Sequence, residues 1–410
     1  MVNDTAELFN SQIPHHTPEE MRAYLEQDAF IFSGLKTHTQ LAEARSYLKD
    51  EKGNLRPYYD FEQKVLKLNQ QYNRHYLEAE YEFAAHSAMS AANWANLQED
   101  TGRYWLEYRT AGDERVRASH QQLNGICLPK TDTFWTEYYP PNGWRCRCVA
   151  VEVLAREKTP SDSQKAQELG QYATSQIGKN GKNKLAMFRF NPGQQKKMFP
   201  PNNSYNPKFC NNGKTTLNLD NNNILLSLED ERCKAKQIIE EKAKRWYRNK
   251  VFTKPREKQF SKIKDNVYEH ILTKRADDYV EIKQSALLLS ENKKRTEIMP
   301  EINAKERSVR QIVFAHLSKL YKSNPDIRNG NKYYDLKRPK AIKNILGNAN
   351  KASKQGAIAI ISDSHLNKPL TEDIIKERVK DIFNSEDYKM DVVIFKVGDK
   401  LHYFNRTGGK

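Results

Sequence analysis

The feature that most constrains this chain is a polar stretch in its middle. From Gly178 to Asn223 the sequence is rich in Asn, Lys, Gly and Pro, which favours turns and leaves few apolar side chains to bury. A charged segment follows and predicts a solvated helix between residues 228 and 264, because its acids lead and its bases follow, as the helix dipole favours. Since domains typically hold about 150 residues, we expect several domains. We predict domains over 1–177 and 265–410, joined by an irregular extension and linker over 178–264.

Hydrophobic periodicity differs on the two sides of this stretch. Before about residue 105, apolar residues recur three and four positions apart, which predicts helices. After residue 265, helix-like and strand-like periods alternate, and Asn329-Gly330 suits a tight hairpin turn. The predicted helices cover 278–292, 308–321, 340–354 and 371–383, and the strands cover 295–299, 326–328, 332–337, 357–361, 391–396 and 400–405. The fold class is therefore multidomain α+β, with a helical N-terminal module, a charged linker and an α/β C-terminal domain.

The charge of the chain indicates what kind of partner it binds, and its cysteines indicate the redox state of its compartment. The chain has 68 Lys and Arg against 52 Asp and Glu, a net charge of +16 that favours polyanions such as nucleic acid. No run of about 18 apolar residues is present, and the N-terminus has neither a basic nor an apolar leader region, so we expect no membrane insertion and no signal peptide. Three of the five cysteines lie close together, which argues against a disulfide framework and for a reducing compartment.

A dense motif of arginines, aromatics, prolines and cysteines lies between residues 106 and 150. It reads Arg109-Thr-Ala-Gly-Asp113-Glu-Arg115-Val-Arg117-Ala-Ser-His120, then Leu123-Asn-Gly125, Phe134-Trp135 and Pro140-Pro-Asn-Gly-Trp-Arg-Cys-Arg-Cys148. Residues 70–155 resemble the phage Mu protein F-like family of head morphogenesis proteins, and Phe188-Arg-Phe-Asn-Pro-Gly and Met198-Phe-Pro-Pro look like an extension. The resemblance implies a minor head protein of a phage or prophage. Its expected partners are portal and capsid proteins, and its expected location is the virion or the bacterial cytoplasm.

The same motif offers donors for a metal. His120, Cys127, Cys146 and Cys148 supply the nitrogen and thiolate ligands of a tetrahedral Zn²⁺ site, although Cys-x-Cys is tighter than the usual Cys-x2-Cys spacing. The alternative that we favour is a packed loop around Trp135 and Trp144, with inert cysteines and with Asp113 paired to Arg115 or Arg117. A nucleophilic Cys–His dyad is a third possibility.

The C-terminal region carries a second motif. Asn324-Pro-Asp326 precedes one short strand, and Asp335-Leu-Lys337 lies on the next, which is the PD-(D/E)xK arrangement. Because side chains two apart on a strand share a face, Asp335 and Lys337 are expected to point together, with Asp326 beside them across the hairpin.

This arrangement suits hydrolysis of a phosphodiester. Asp326 and Asp335 would hold Mg²⁺ or Mn²⁺, which polarises the phosphate and acidifies a water, and Lys337 would stabilise developing charge. Glu281, on the preceding helix, is the predicted third acid, and Gln355 is a further predicted catalytic residue. Lysines near the centre are predicted to bind the nucleic acid: Lys340, Lys343, Lys351 and Lys354.

The order of elements resembles the restriction-endonuclease-like core, and residues 278–405 resemble the C-terminal nuclease domains of CdiA-type contact-dependent inhibition toxins. The corresponding residues are Asp335-Leu-Lys-Arg-Pro339, the segment 344–350, and Lys354-Gln-Gly-Ala357, with departures at Gly356 and in the inserted helix over 308–321. The resemblance implies a nuclease that cuts tRNA or another RNA, with DNA as an alternative, and a neighbouring immunity protein as a partner.

Three alternatives to this nuclease remain open. Asp326 could simply start a turn, with Asp335 and Lys337 forming a surface ion pair worth under about 1 kcal/mol. A metal-independent ribonuclease of the barnase or colicin type would use His402, Arg406 and Thr407 at the last strand, with the histidine as general base. A purely structural head protein would use the basic tail to bind DNA.

Overall fold

The computed structural model of the protein describes residues 2–97, 101–207, 210, 223–274, 276–317, 321 and 323–406. The chain divides into two compact units, residues 1–247 and residues 248–410. Both units contain helices and strands, which confirms the mixed α+β class.

Helices dominate the first half of the N-terminal unit, as the periodicity predicts. Helix α2 begins directly after Pro18 with two glutamates in its first turn, where acidic groups complement the helix dipole. The helices of the unit are α1 (Val2–Asn10), α2 (Glu19–Ser46), α3 (Tyr58–Gln70), α4 (Leu77–Asn96), α5 (Ala118–Gln121), α6 (Phe134–Tyr138), α7 (Ser163–Ala173), α8 (Pro192–Gln195) and α9 (Asn223–Thr253), the last of which continues past residue 247.

A three-stranded antiparallel sheet completes this unit. Its strands are β1 (Tyr104–Arg109), β2 (Cys127–Pro129) and β3 (Val149–Leu154), and β1 lies in the middle. A core of aromatic residues packs against the sheet, with Trp135 fully buried. The motif between residues 106 and 150 is therefore a folded element around this sheet rather than an extended loop.

The polar stretch that was expected to be irregular surface contributes to the core of the N-terminal unit. Five of its apolar side chains belong to the buried cluster of this core: Phe188, Phe190, Met198, Phe199 and Tyr205. The Phe199 ring stacks on Phe32 at a centroid distance of 3.7 Å. The Asp28 carboxylate accepts the backbone N–H groups of Met198 and Phe199 at 3.0 and 2.9 Å. These apolar residues follow no helical or strand period, so periodicity could not identify them as core.

The predicted linker also differs from the structure at its end. In helix α9, Ala243 and Tyr247 are buried in the N-terminal unit, and Ile239 packs against its core. Residues 260–264 form a strand of the C-terminal sheet. A disulfide joins Cys210 and Cys233, which departs from the expectation that the cysteines argue against disulfides, whereas the three clustered cysteines, Cys127, Cys146 and Cys148, are free.

The C-terminal unit is built on one mixed sheet of eight strands in the order β11-β10-β9-β8-β7-β6-β5-β4. The strands are β4 (Phe260–Lys264), β5 (Val267–His270), β6 (Thr296–Ile298), β7 (Ile327–Asn329), β8 (Lys332–Lys337), β9 (Ile358–Ser362), β10 (Val392–Val397) and β11 (Lys400–Asn405). The helices are α10 (Tyr279–Leu289), α11 (Arg307–Val313), α12 (Ile345–Ser353) and α13 (Glu372–Asn384). Each predicted element is confirmed within a few residues, except that the helix predicted to reach residue 321 ends at Val313.

Apolar residues cover both faces of this sheet. Helix α10 packs on one face against residues that include Leu336, Ile360 and Ile394. Helices α12 and α13 pack on the other face, against Ile361 and Phe395 among others. This sandwich of helices around a sheet is why β9 is buried at every position. Among the described residues, no helix has the length and apolar character needed to cross a membrane.

Candidate functional site

The PD-(D/E)xK residues lie on a hairpin in the centre of the sheet. Strands β7 and β8 pair antiparallel with Ile327 opposite Tyr334 and Asn329 opposite Lys332. The hairpin turn is therefore formed by Gly330 and Asn331, one residue later than the predicted Asn329-Gly330, and Gly330 adopts a positive φ of 59°. The Asp326 backbone N–H donates to the Tyr334 carbonyl at 3.0 Å. Asp326 therefore continues the hairpin ladder and faces Asp335.

The two aspartates interact directly. Asp335 is only 2% exposed, and the Asp326 carboxylate oxygen Oδ2 accepts the Leu336 backbone N–H at 2.8 Å. Burial, the charge of Asp335 and a hydrogen bond to it raise the pKa of Asp326 well above its ordinary range. Burial also raises the pKa of Asp335, against the opposing effect of Lys337. Both carboxyl groups therefore favour the neutral form more than isolated aspartates do.

Lys337 completes the cluster. Its Nζ lies 2.5 Å from Asp335 Oδ2, and its side chain is 17% exposed, compared with 3% for Asp335. Residues 335 and 337 share a face because they are two apart on β8. The structure therefore brings Asp326, Asp335 and Lys337 together. In the ion pair of Asp335 and Lys337, the lysine is the more exposed to solvent.

Glu281, the predicted third acid, lies elsewhere. Its carboxylate accepts hydrogen bonds from the Ser362 and Ser364 hydroxyls, and one of its oxygens lies 3.7 Å from Lys396 Nζ. Ser362 and Lys396 belong to the sheet face that packs on α10, whereas Asp335 alternates to the opposite face. The structure does not bring Glu281 into a three-ligand group with the two aspartates, as judged over the described residues.

The remaining predicted residues, Gln355 and four lysines, follow β8 along the chain. Gln355 is buried between α12 and β9, and its Oε1 has no hydrogen-bond partner within the described part of the chain. The four lysines, Lys340, Lys343, Lys351 and Lys354, are all exposed. Lys354 forms an ion pair with Asp387 at 3.2 Å, so its ammonium group is partly neutralised.

A cluster of arginines that was not predicted from the sequence lies on the same sheet face. Glu297 on β6 is buried and contacts three guanidinium groups, those of Arg256, Arg295 and Arg328, at 2.7 to 3.1 Å. Glu297 pairs in register with Arg328, which lies two residues from Asp326. Three cations around one anion leave a local excess of positive charge beside the aspartates. Sequence spacing gave no signal, because the three arginines come from different segments.

Two of the three residues of the metal-independent alternative lie on or directly after β11. His402 is exposed on β11, which is the edge strand of the sheet. The Arg406 guanidinium donates to the Phe383 and Tyr388 carbonyl oxygens at 2.8 and 2.7 Å, so it is engaged in fixing the backbone. Thr407 lies outside the described residues.

A second cluster lies in the N-terminal unit. His120 Nδ1 is 3.6 Å from Cys146 Sγ and 3.7 Å from Cys148 Sγ, and all three residues are buried. Hydrogen bonds from Cys148 and His120 lower the pKa of Cys146 well below its ordinary range, despite burial. Cys127 does not join them: it lies on β2, where burial and the nearby Glu107 raise the pKa of its thiol.

Asp113 pairs most closely with an arginine that was not predicted, and more weakly with the predicted Arg115. Its carboxylate accepts two hydrogen bonds of 2.6 Å from Arg147, whereas Arg115 lies 3.9 Å away. Arg147 is the residue between Cys146 and Cys148, so this bidentate pair holds the loop that carries both sulfurs.

Comparison with known proteins supports the first resemblance over part of the chain. Residues 53–151 match the family model described as phage Mu protein F like protein. The chain is similar to the Mu-like prophage FluMu F protein of Haemophilus influenzae, with 42% identity over 72 residues, or 18% of this chain and 16% of the relative. It is also similar to the "Putative capsid assembly protein F" of Escherichia phage Mu, with 36% identity over 81 residues, or 19% of this chain and 18% of the relative.

The aligned regions cover only a small part of this chain and of each relative. They span less than a fifth of the length of either relative. No solved structure matches the chain.

Proposed function

We propose that this chain is a phage or prophage head-assembly protein that carries a metal-dependent nuclease in residues 248–410. The match of residues 53–151 to phage Mu protein F like proteins supports the assembly role, with portal and capsid proteins as partners and the virion or the bacterial cytoplasm as location. The observation that carries the nuclease is the convergence of Asp326, Asp335 and Lys337 on one face of the sheet.

The order of elements around these residues supports the same proposal. Helix α10, strands β6, β7 and β8, helix α12 and strand β9 come in this order, with the inserted helix α11 between β6 and β7. Strands β6, β7 and β8 pair antiparallel, and β8 pairs parallel with β9. This is the order that the resemblance to restriction-endonuclease-like cores implies. The resemblance to CdiA-type toxins favours tRNA or another RNA as the substrate, and it adds an immunity protein as a further proposed partner.

Charge is distributed in a way that suits a polyanionic substrate. Residues 248–410 contain 35 Lys and Arg against 21 Asp and Glu, so this unit carries +14 of the net charge of +16. The N-terminal unit is close to neutral. Attraction of RNA to the C-terminal unit would weaken as salt rises, because each phosphate contact releases a bound counterion.

The donor set at the aspartates fits Mg²⁺ or Mn²⁺. The two carboxyl groups interact with one another, and both offer the hard oxygen atoms that these ions prefer. Such an ion, when bound, polarises a phosphate and lowers the pKa of a water. Asp326 and Asp335 would hold it, and Lys337 would stabilise negative charge on the phosphate, to which its partial exposure gives access.

The test is cleavage of tRNA and of duplex DNA by the full chain, with Mg²⁺, with Mn²⁺ and with EDTA. We expect metal-dependent cleavage of tRNA that falls by on the order of 100-fold or more in Asp335→Asn and Lys337→Met, because each removes a group that acts on the reacting phosphate. Asp399→Asn and Lys400→Met are matched controls, since both residues are exposed at the turn between β10 and β11 and should leave the rate unchanged.

Other outcomes would identify the alternatives. Activity that persists in EDTA and disappears in His402→Ala would indicate the metal-independent ribonuclease. DNA binding with no cleavage of either substrate would support a purely structural head protein. Full activity in Asp335→Asn and Lys337→Met would exclude this site.

A further inference from the structure

The cluster of His120, Cys146 and Cys148 has no role in the proposed nuclease and lies in the other unit. Its donor atoms come from two places along the chain: His120 belongs to the short helix α5, and the two cysteines end the loop between α6 and β3. All pairs among these three atoms lie within 4.8 Å of one another, and the three residues are 2 to 4% exposed. It is the one such group of three or more among the described residues.

The distances fit a specific coordination geometry. Zinc binds sulfur at about 2.3 Å and histidine nitrogen at about 2.0 Å, so in a tetrahedron the nitrogen and sulfur ligands lie about 3.5 Å apart. The observed separations from His120 Nδ1 to the two sulfurs are 3.6 and 3.7 Å. Both nitrogen–sulfur separations therefore match those of a zinc site within a few tenths of an ångström.

We propose that His120, Cys146 and Cys148 bind one Zn²⁺ ion. Thiolate and imidazole ligands favour zinc over Mg²⁺ or Mn²⁺, which prefer oxygen. Two thiolates and a neutral imidazole balance the charge of Zn²⁺, so the complex is neutral and its burial avoids the large cost of an isolated buried charge. The same burial argues against a nucleophilic Cys–His dyad, because a substrate would have no access to the sulfur.

The surroundings of the cluster are suited to holding its ligands in place. The Tyr108 hydroxyl lies near the Cys148 sulfur and donates to Asn142 Oδ1 at 2.9 Å. Arg147, between the two cysteines, is fixed by its bidentate pair with Asp113. These hydrogen bonds restrain the chain beside the two sulfurs. The fourth position is left to a small exogenous ligand such as water, because Cys127 lies outside the group.

The proposed ion would have a structural role. It would connect α5 to the loop that leads into β3, within residues that match the phage Mu protein F like family. Zinc at this position would stabilise the N-terminal unit, because binding free energy adds to folding free energy when the unfolded chain lacks the site.

The experiment is metal analysis of the full chain, purified under reducing conditions from zinc-supplemented cultures. We expect about one zinc per chain, reduced at least fivefold in Cys146→Ser, Cys148→Ser and His120→Asn. Cys127→Ser is the matched control, since Cys127 is also a buried free thiol of this unit but is outside the cluster, and its zinc content should equal that of the wild type. Zinc retained in the three ligand variants would overturn the proposal.

A second measurement on the wild-type chain covers variants that fail to fold. After zinc is removed with a chelator, titration with Co²⁺ should give thiolate-to-cobalt charge-transfer bands and the intense visible bands of a tetrahedral site, and zinc should then displace the cobalt. A pale octahedral cobalt spectrum would overturn the assignment. So would a mass measurement showing that Cys146 and Cys148 form a disulfide in the chain as purified under these reducing conditions.

Discussion

At the scale of single residues, the carboxyl group of Asp326 shows how protonation, stability and cation binding are connected. It is surrounded by protein, faces a second carboxyl group and accepts the Leu336 backbone N–H. A carboxyl group in such surroundings favours its neutral form, so the pKa of Asp326 is raised. A bound divalent cation would reverse this preference. Stability and cation binding are therefore linked at this residue.

The first prediction concerns pH. The unfolded chain releases the Asp326 proton near pH 3.8, whereas the folded chain keeps it to higher pH because the pKa of Asp326 is raised. The contribution of Asp326 to the free energy of unfolding is therefore fully present below pH 3.8. It declines as the pH rises from there towards the pKa of Asp326 in the folded chain. In Asp326→Asn, which mimics the neutral acid, we expect this decline to be smaller, as measured by thermal unfolding of the full chain between pH 4 and pH 7.

The same variant tests the cation. Mg²⁺ should raise the unfolding temperature of the wild-type chain at pH 7 and should have little effect on Asp326→Asn, whereas Asp399→Asn should behave as the wild type does. If Asp326→Asn keeps the wild-type dependence on both pH and Mg²⁺, then Asp326 is not the group responsible.

At the scale of elements, the connection from α12 to β9 explains a residue that departs from the toxin pattern. Gly356 has a positive φ of 73°, which ends the helix and directs the chain into the buried strand. Its Cα approaches Tyr321 so closely that an added Cβ would lie 2.7 Å from that ring. Glycine at this position is therefore required by the local backbone and by the packing around it.

The second prediction compares two glycines of this element. Gly356→Ala should destabilise the C-terminal unit by at least about 1–2 kcal/mol, because a left-handed conformation and a steric clash both oppose the methyl group. Gly347→Ala should stabilise it by up to about 1 kcal/mol, since Gly347 lies within α12 with no heavy atom within 4 Å of its added Cβ. Chemical denaturation would measure both, and equal effects of the two changes would contradict this account of Gly356.

At the scale of the whole molecule, each unit has a hydrophobic core of its own. The N-terminal unit buries rings such as Phe32 and Phe199, and the C-terminal unit buries strand residues such as Ile360 and Ile394. A separate core is the condition for a unit to unfold cooperatively by itself.

The third prediction follows from these two cores. Calorimetry of the full chain should show two transitions. Phe199→Ala should lower the midpoint temperature of one transition, because it reduces the free energy of unfolding of that unit by about 3–5 kcal/mol. Ile360→Ala should lower the midpoint temperature of the other transition, with a reduction of about 2–5 kcal/mol. A single transition that responds to both variants would show that the units unfold together.

The sequence by itself determined what depends on neighbouring residues along the chain. The alternation of Asp335 and Lys337 on one strand, a hairpin turn that includes Gly330, and the order of helices and strands after residue 265 all follow from backbone geometry and short-range periodicity. The role of each residue as a metal ligand or catalyst stays a prediction.

Only the tertiary structure decided which distant residues meet. It placed Glu281 on the opposite sheet face from Asp335, left Cys127 out of the His120 cluster, paired Asp113 with Arg147 and buried Phe199 from a stretch that looks polar. The face that a helix presents, the register between strands and the path of a turn-rich segment are set by packing across the whole unit. No spacing along the chain encodes them, because residues far apart in sequence contribute to each contact.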